Sequence, residues 1–161
     1  MPAPAFIHLR LHSEYSIVDG IVRLDDAVDR ARADGMPALA LTDLANLFGL
    51  VKFYEAARAN GIKPIIGCDV WVANDSNRDQ PFRLLLLVAN SRGYRQLCEL
   101  LSRAYRTNMH RGKALLQRDW LRDTEGLIAL SGGASGDIGA ALLQDNTSLA
   151  ARCAHAWISD F

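Results

Sequence analysis

Short apolar runs alternate along this chain with segments whose apolar residues recur at helical spacing, and this alternation limits the folds available to it. Runs such as residues 84–89 and 127–131 have the length of strands and are far too short to span a bilayer. In the segments between them, apolar residues such as Leu24, Val28 and Ala31 lie three or four positions apart. Strands joined through helices by short connections favour parallel pairing, so the sequence predicts an α/β fold.

These patterns predict five strands and five helices. The predicted strands are residues 6–11, 38–42, 64–73, 84–89 and 127–131. The predicted helices are 24–34 before Gly35, 47–60 before Gly61, 91–105 with Ser91 as N-cap, 138–143, and a last helix capped by Thr147 or Ser148 and ending at Trp157. Residues 74–80 are predicted as the turn of a hairpin, 107–113 as an exposed basic loop, and 119–122 as a short helical turn.

Composition restricts the possible partners and the compartment. Lys and Arg together number 18, equal to Asp and Glu, and this balance argues against non-specific DNA binding by the chain as a whole. Three cysteines without a C-x-x-C pair are typical of a reducing compartment rather than of a disulfide framework. We therefore expect a cytoplasmic protein with no membrane association.

Polar residues cluster where the predicted strands end. His12 follows the first strand, Thr42 and Asp43 end the second, Asp69 lies within the third and Ser131 ends the fifth. The carboxyl ends of the strands of a (β/α) barrel converge on one face, where functional sites are built. Periodicity alone leaves an open sheet and a barrel as alternatives, and this clustering favours the barrel.

Several of these residues could bind a metal, and each also has an ordinary structural interpretation. His8 and His12 share one face of the first predicted strand and precede Asp19, but Arg10 lies between them and would repel a cation. Asp43 is either a metal ligand or a helix N-cap. Asp69 is either a ligand or one partner of a buried pair, because an unpaired buried carboxylate is costly.

A glycine-rich segment, residues 131–137, precedes a predicted helix. Backbone N–H groups at such a position can bind a phosphate. The spacing of its glycines matches neither the P-loop nor the dinucleotide-binding fingerprint, which favours a tight structural turn instead.

Five ordered blocks of the sequence, residues 6–20, 35–49, 61–69, 86–94 and 125–133, carry a family resemblance. They resemble the PHP (polymerase and histidinol phosphatase) domain at the N-terminus of bacterial DNA polymerase III alpha subunits, from about residue 5 to the end. The resemblance implies a distorted (β/α)₇ barrel with a metal cluster at the carboxyl ends of its strands. Residues 1–161 would form the N-terminal part of that domain, truncated before the barrel closes, and the open sheet edge would promote self-association.

The resemblance also implies which positions correspond to the family's metal ligands. His12 and Asp19 match ligand positions, Asp43 precedes a ligand position, and Asp69 stands where active relatives usually have Glu. Arg10, Leu44, Arg83 and Gly133 occupy positions where active members have metal-binding side chains. If any metal binds, His12, Asp19 and Asp69 are the expected ligands. We hypothesise that the guanidinium groups of the two arginines replace the lost metals beside the carboxylates.

These departures imply a structural role for the segment. No catalytic residue and no cofactor are expected within it. The resemblance implies docking of a proofreading exonuclease subunit and support for the rest of the alpha subunit. DNA, deoxynucleotides and Mg²⁺ would bind only to the polymerase domains, which would catalyse nucleotidyl transfer. The alternative is a weak metal-dependent phosphoesterase or 3′–5′ exonuclease of the PHP superfamily.

Overall fold

The computed structural model describes residues 6–122 and 124–161, so the predicted start of the family resemblance at residue 5 lies outside the described residues. These residues form two compact units, of which the first ends at Cys68 and the second begins at Asp69. The α-helices of the described residues are α1 (Leu24–Ala33), α2 (Leu50–Ala59), α3 (Ser91–Thr107), α4 (Asp137–Leu143) and α5 (Thr147–Asp160). Their strands are β1 (Ala38–Leu41), β2 (Lys63–Val72), β3 (Phe82–Val88), β4 (Met109–His110), β5 (Lys113–Leu116) and β6 (Leu127–Ser131).

The first unit packs two helices against a parallel pair of strands. β1 lies parallel to the beginning of β2, with Ala38 opposite Lys63 and Leu41 opposite Ile66. β1 is buried along its whole length, as its continuous apolar sequence predicts. The apolar faces of both helices meet in one core, whose buried members are Leu24, Val28, Ala31, Leu39, Leu41, Phe53, Ala57 and Ile62.

Charges at the two ends of α1 explain why this segment is helical without a side-chain N-cap. Asp25 and Asp26 lie in the first turn, and Arg30 and Arg32 lie in the last turn. Acidic residues near a helix N-terminus and basic residues near its C-terminus are stabilised by the helix dipole. The helix ends before Gly35, where the sequence predicts its stop.

The second unit contains a mixed, open sheet in the strand order β4-β5-β2-β3-β6. The last residues of β2 lie parallel to β5, whereas β3 and β6 are antiparallel, as are β4 and β5. The α/β class and an unclosed sheet are confirmed for the described residues. The predicted parallel pairing is found for β2 with β1 and with β5. β4 and β5 are antiparallel because the connection between them is too short for a crossover.

Residues 6–11 were predicted as the first strand, and the structure assigns no strand there. Their backbone still lies beside β1, since the carbonyl oxygen of His8 accepts a bond from the N–H of Ala40. The side chain of Thr42 interrupts a regular ladder: its hydroxyl accepts from the N–H of Leu11 and donates to the carbonyl oxygen of Leu11. The N–H of Leu11 therefore bonds to a side chain, while its carbonyl oxygen also accepts a bond from the backbone N–H of Thr42.

The predicted loop at residues 107–113 is instead a β-hairpin formed by β4 and β5. Arg111 and Gly112 join the two strands with φ angles of 47° and 77°. Two consecutive residues with positive φ are the signature of the tight turn whose twist matches paired strands. Arginine is an unusual residue in this conformation, which explains why the sequence pattern does not reveal the hairpin.

Two predicted N-caps are displaced by one residue or more. Asn90, rather than Ser91, caps α3, and its side chain accepts bonds from the N–H groups of Arg92 and Gly93. Asn146, rather than Thr147 or Ser148, caps α5 by accepting from the N–H of Leu149. Asn and Ser are comparable caps, so the sequence alone cannot choose between adjacent candidates. The short turn at 119–122 is confirmed as a 3₁₀ helix at Arg118–Leu121.

None of the helices in the described residues is both long enough and apolar enough to cross a membrane.

Candidate functional site

Asp43 follows β1 directly and is almost fully buried, with 1% of its surface exposed. One carboxylate oxygen accepts a bond from the N–H of Ser13 at 2.6 Å, and the other accepts from the hydroxyl of Ser13 at 2.9 Å. Burial raises the pKa of Asp43 above its ordinary value, and the hydrogen bonds from Ser13 oppose this rise without cancelling it. Asp43 is therefore an anchor for the segment that carries His12, and it is not an N-cap of α2, which begins at Leu50.

His12 and Asp19 contact each other at one end of the same segment. The Nδ1 atom of His12 lies 3.0 Å from Oδ1 of Asp19, and the side chains are 14% and 35% exposed. The buried Ser16 donates to that same carboxylate oxygen at 2.6 Å and accepts from the N–H of Leu44 at 2.9 Å. Sequence reasoning missed Ser13 and Ser16, which organise this cluster. Their only signal is a pair of small hydroxyl residues between the two candidate ligands.

Two further predicted positions in the first unit, Leu44 and Arg10, carry side chains that do not bind metal cations. Leu44 is 8% exposed and belongs to the apolar interior, and only its backbone N–H bonds to Ser16. Arg10 is exposed and lines a cavity of about 410 Å³ beside α1, together with residues that include His8, Asp26 and Met36.

In the second unit, Asp69 and Arg83 form a buried ion pair. Nε of Arg83 lies 2.9 Å from Oδ1 of Asp69, and Nη2 lies 2.8 Å from Oδ2. The arginine side chain is 9% exposed, and the aspartate side chain is 2% exposed. The guanidinium carbon also lies 4.4 Å from the ring centre of Trp71. Asp69 thus has the partner that burial of a carboxylate in an apolar strand requires.

Glycines following β6 allow the chain to pass close to Arg83. A Cβ atom on Gly132 would lie 2.1 Å from the carbonyl oxygen of Arg83. Gly133 begins a single 3₁₀ turn, Gly133–Ser135, with a φ of 57°. This turn makes close backbone contacts, and such contacts support the structural interpretation of the glycine-rich segment rather than a phosphate-binding one.

The described residues do not supply the donor set of the metal cluster that the resemblance implies. Within residues 6–122 and 124–161, no group of three His, Cys, Asp or Glu side chains is arranged to hold a metal ion. Both oxygens of Asp43 accept bonds from Ser13, and both oxygens of Asp69 face the guanidinium of Arg83. The positive charge of Arg83 would have to move before a metal ion could bind Asp69.

Comparisons with known proteins agree on one family. The PHP domain model matches residues 8–161. DNA polymerase III subunit alpha of Escherichia coli strain K12 is 47% identical over 154 residues, which cover 95% of this chain and 13% of the relative. The subunit of the same name from Pseudomonas aeruginosa is 44% identical over 158 residues, or 98% of this chain and 14% of the relative.

One solved structure, an amidohydrolase from Chromobacterium violaceum with bound sulfate and no metal, aligns with a TM-score of 0.49 at 28% identity. That alignment covers 62% of this chain and 33% of the amidohydrolase. The chain spans only 13–14% of the length of the two polymerase relatives.

Proposed function

The chain belongs to the PHP domain family, and from that premise we propose that it is the N-terminal PHP segment of the catalytic alpha subunit of a bacterial replicative DNA polymerase III. Within that subunit it acts as a structural and interaction domain. The observation that carries the proposal is the 47% identity to the Escherichia coli subunit over 95% of this chain. Identity at this level across nearly the whole chain supports a shared position in a shared polypeptide.

The ion pair between Asp69 and Arg83 supports a structural role. In an active PHP site a carboxylate at this position would bind a metal cation, and here a fixed guanidinium supplies the positive charge. Arginine suits this substitution because it stays protonated and its planar fork matches both carboxylate oxygens. Asp43 likewise uses both oxygens to hold Ser13. The carboxylates therefore stabilise the fold, and catalysis is left to other domains.

A structural role of this kind implies two partners, the proofreading exonuclease subunit and the rest of the alpha subunit. DNA and deoxynucleotides reach the assembly through the polymerase domains, where Mg²⁺ supports nucleotidyl transfer. The domain works in the cytoplasm, where replication takes place in bacteria.

The experiment compares full-length alpha subunits with and without residues 1–161. We expect deletion to abolish co-elution of the exonuclease subunit on size-exclusion chromatography and to weaken the polymerase. A full-length His12→Ala variant is the matched control, because it removes a candidate ligand and leaves the domain in place. It should retain both exonuclease association and primer extension. Normal exonuclease association by the deleted subunit would contradict the proposal.

A second candidate function, a weak metal-dependent phosphoesterase or 3′–5′ exonuclease, has one observation in its favour. His12 and Asp19 lie in contact, and both side chains remain partly exposed. Metal binding that is lost in His12→Ala would distinguish this candidate from the structural role.

A further inference from the structure

Positive charge is concentrated in one stretch of this otherwise neutral chain. Residues 91–113 contain six of the 18 Lys and Arg residues and one of the 18 Asp and Glu residues. These residues form α3 and the β4–β5 hairpin, both within the second unit. The neutral total that argues against nucleic-acid binding by the whole chain therefore conceals a strongly basic segment.

The four arginines of α3 lie along one side of the helix. Arg92, Arg95, Arg103 and Arg106 are all exposed. Their spacings of three, eight and three residues place them within a narrow stripe at 3.6 residues per turn. The opposite side is packed into the unit through buried residues that include Leu97, Leu101 and Ala104. We call these four residues the arginine stripe, which is about 21 Å long at 1.5 Å per residue.

Contacts with neighbouring side chains order parts of the stripe. The guanidinium of Arg103 lies 4.0 Å from the ring centre of Trp120. Arg92 is 59% exposed and contacts Glu125, which is itself 70% exposed. Stacking on an indole holds a guanidinium in place while leaving its N–H groups available for other acceptors.

We propose that the arginine stripe binds the phosphodiester backbone of nucleic acid. Arginine forks match phosphate oxygens in pairs, and the stripe is linear. Its two arginine pairs are about 16 Å apart, which corresponds to roughly five base-pair steps of 3.4 Å. A polymer with a regularly repeated charge can contact both pairs at once, whereas a single small anion cannot.

Glu99 lies in the middle of the stripe and sets the strength of this interaction. It is exposed and four residues from both Arg95 and Arg103. A carboxylate at this place repels a phosphate strand, so the binding is weak, independent of base sequence and sensitive to salt. This inference goes beyond the proposed scaffolding role, because it needs no exonuclease and no polymerase domain.

The test uses the full 161-residue chain and a fluorescent DNA duplex of about 20 base pairs, with anisotropy recorded from about 50 mM NaCl upward. Arg95→Gln combined with Arg106→Gln should weaken binding at least about fivefold. The double variant should also make the slope of log affinity against log salt shallower by about two. Glu99→Gln should tighten binding at least about twofold.

The matched control is Arg58→Gln combined with Arg152→Gln, which removes the same charge from exposed positions on α2 and α5. It should leave binding within about twofold of the parent chain, and circular dichroism melts should show that all variants are folded. Equal loss in the control pair, or no saturable binding at low salt, would overturn the proposal. Poly-glutamate that displaces the labelled duplex as effectively per charge as unlabelled DNA would also overturn the proposal, since that outcome indicates an acidic protein partner. Exonuclease association is measured separately, so either proposal can fail alone.

Discussion

Arg83 and Asp69 make two close contacts, Nε to Oδ1 at 2.9 Å and Nη2 to Oδ2 at 2.8 Å, with both side chains nearly excluded from solvent. The attraction between the two charges offsets part of the cost of taking both of them out of water. Removal of one partner leaves the other charge buried and uncompensated. The pair therefore makes the second unit sensitive to substitution of either residue.

Arg83→Ala should lower the free energy of unfolding by about 3–5 kcal/mol, because it strands the Asp69 carboxylate in the interior. Urea denaturation followed by circular dichroism measures this loss. Arg58→Ala, which removes an exposed arginine, should change stability by less than about 0.5 kcal/mol. If Arg83→Ala were no more costly than Arg58→Ala, the pair would not be a structural element.

Gly132→Ala should destabilise the same region through a steric clash. A Cβ atom at this position would lie 2.1 Å from the carbonyl oxygen of Arg83, and the backbone cannot accommodate it without shifting. We expect a loss of about 2 kcal/mol or more in thermal or urea unfolding. Gly133→Ala meets no atom within 4 Å, so only its positive φ opposes the change, and its loss should be smaller. The reverse ranking would contradict the described path of the turn.

Asn90→Ala should cost about 1 kcal/mol, because the N–H groups of Arg92 and Gly93 lose their acceptor at the start of α3. Ser91→Ala tests the cap that the sequence suggests and should have little effect, since Ser91 lies inside the helix. Both values come from chemical denaturation of the single variants. A larger loss for Ser91→Ala would place the helix start one residue later.

Asp79 should titrate below its ordinary pKa of 3.8, because its hydrogen bond to His110 favours the ionised form and Arg111 adds to this effect. A carboxylate whose pKa is lowered by folding stabilises the fold above its unfolded pKa. That contribution is lost as the pH falls through the lower, folded pKa. Carbon-13 NMR should show the pKa of Asp79 rising toward 3.8 in His110→Ala. An unchanged pKa in that variant would show that His110 does not stabilise the Asp79 carboxylate.

Much of the fold could be predicted from apolar spacing. The strand at residues 127–131 coincides with β6, and the helical spacing of Leu24, Val28 and Ala31 marks the buried side of α1. Apolar spacing predicts these elements because the buried side of a helix or strand must be apolar wherever the element packs. The hairpin at Arg111 was missed because its turn depends on backbone angles that arginine seldom adopts.

The site could be predicted only in part. The sequence indicates that Asp69 needs a partner. The family resemblance suggests Arg83 for this role, but periodicity cannot, because Arg83 lies on another strand 14 residues away. Ser13 and Ser16 were missed for a related reason: their bonds to Asp43 and Leu44 span about 30 residues of chain. Contacts of this kind depend on how the elements pack, so the spacing of residues along the sequence cannot predict them.

Metal content tests the central claim most directly. The purified chain is incubated with zinc, manganese and magnesium, its bound metal is measured by mass spectrometry, and phosphoesterase activity is assayed in the same samples. We expect no stoichiometric metal and no turnover, because Arg83 already supplies the positive charge beside Asp69 and Asp43 holds the segment at Ser13. Bound metal with turnover that disappears in His12→Ala would contradict the structural role and identify the chain as a metal-dependent hydrolase.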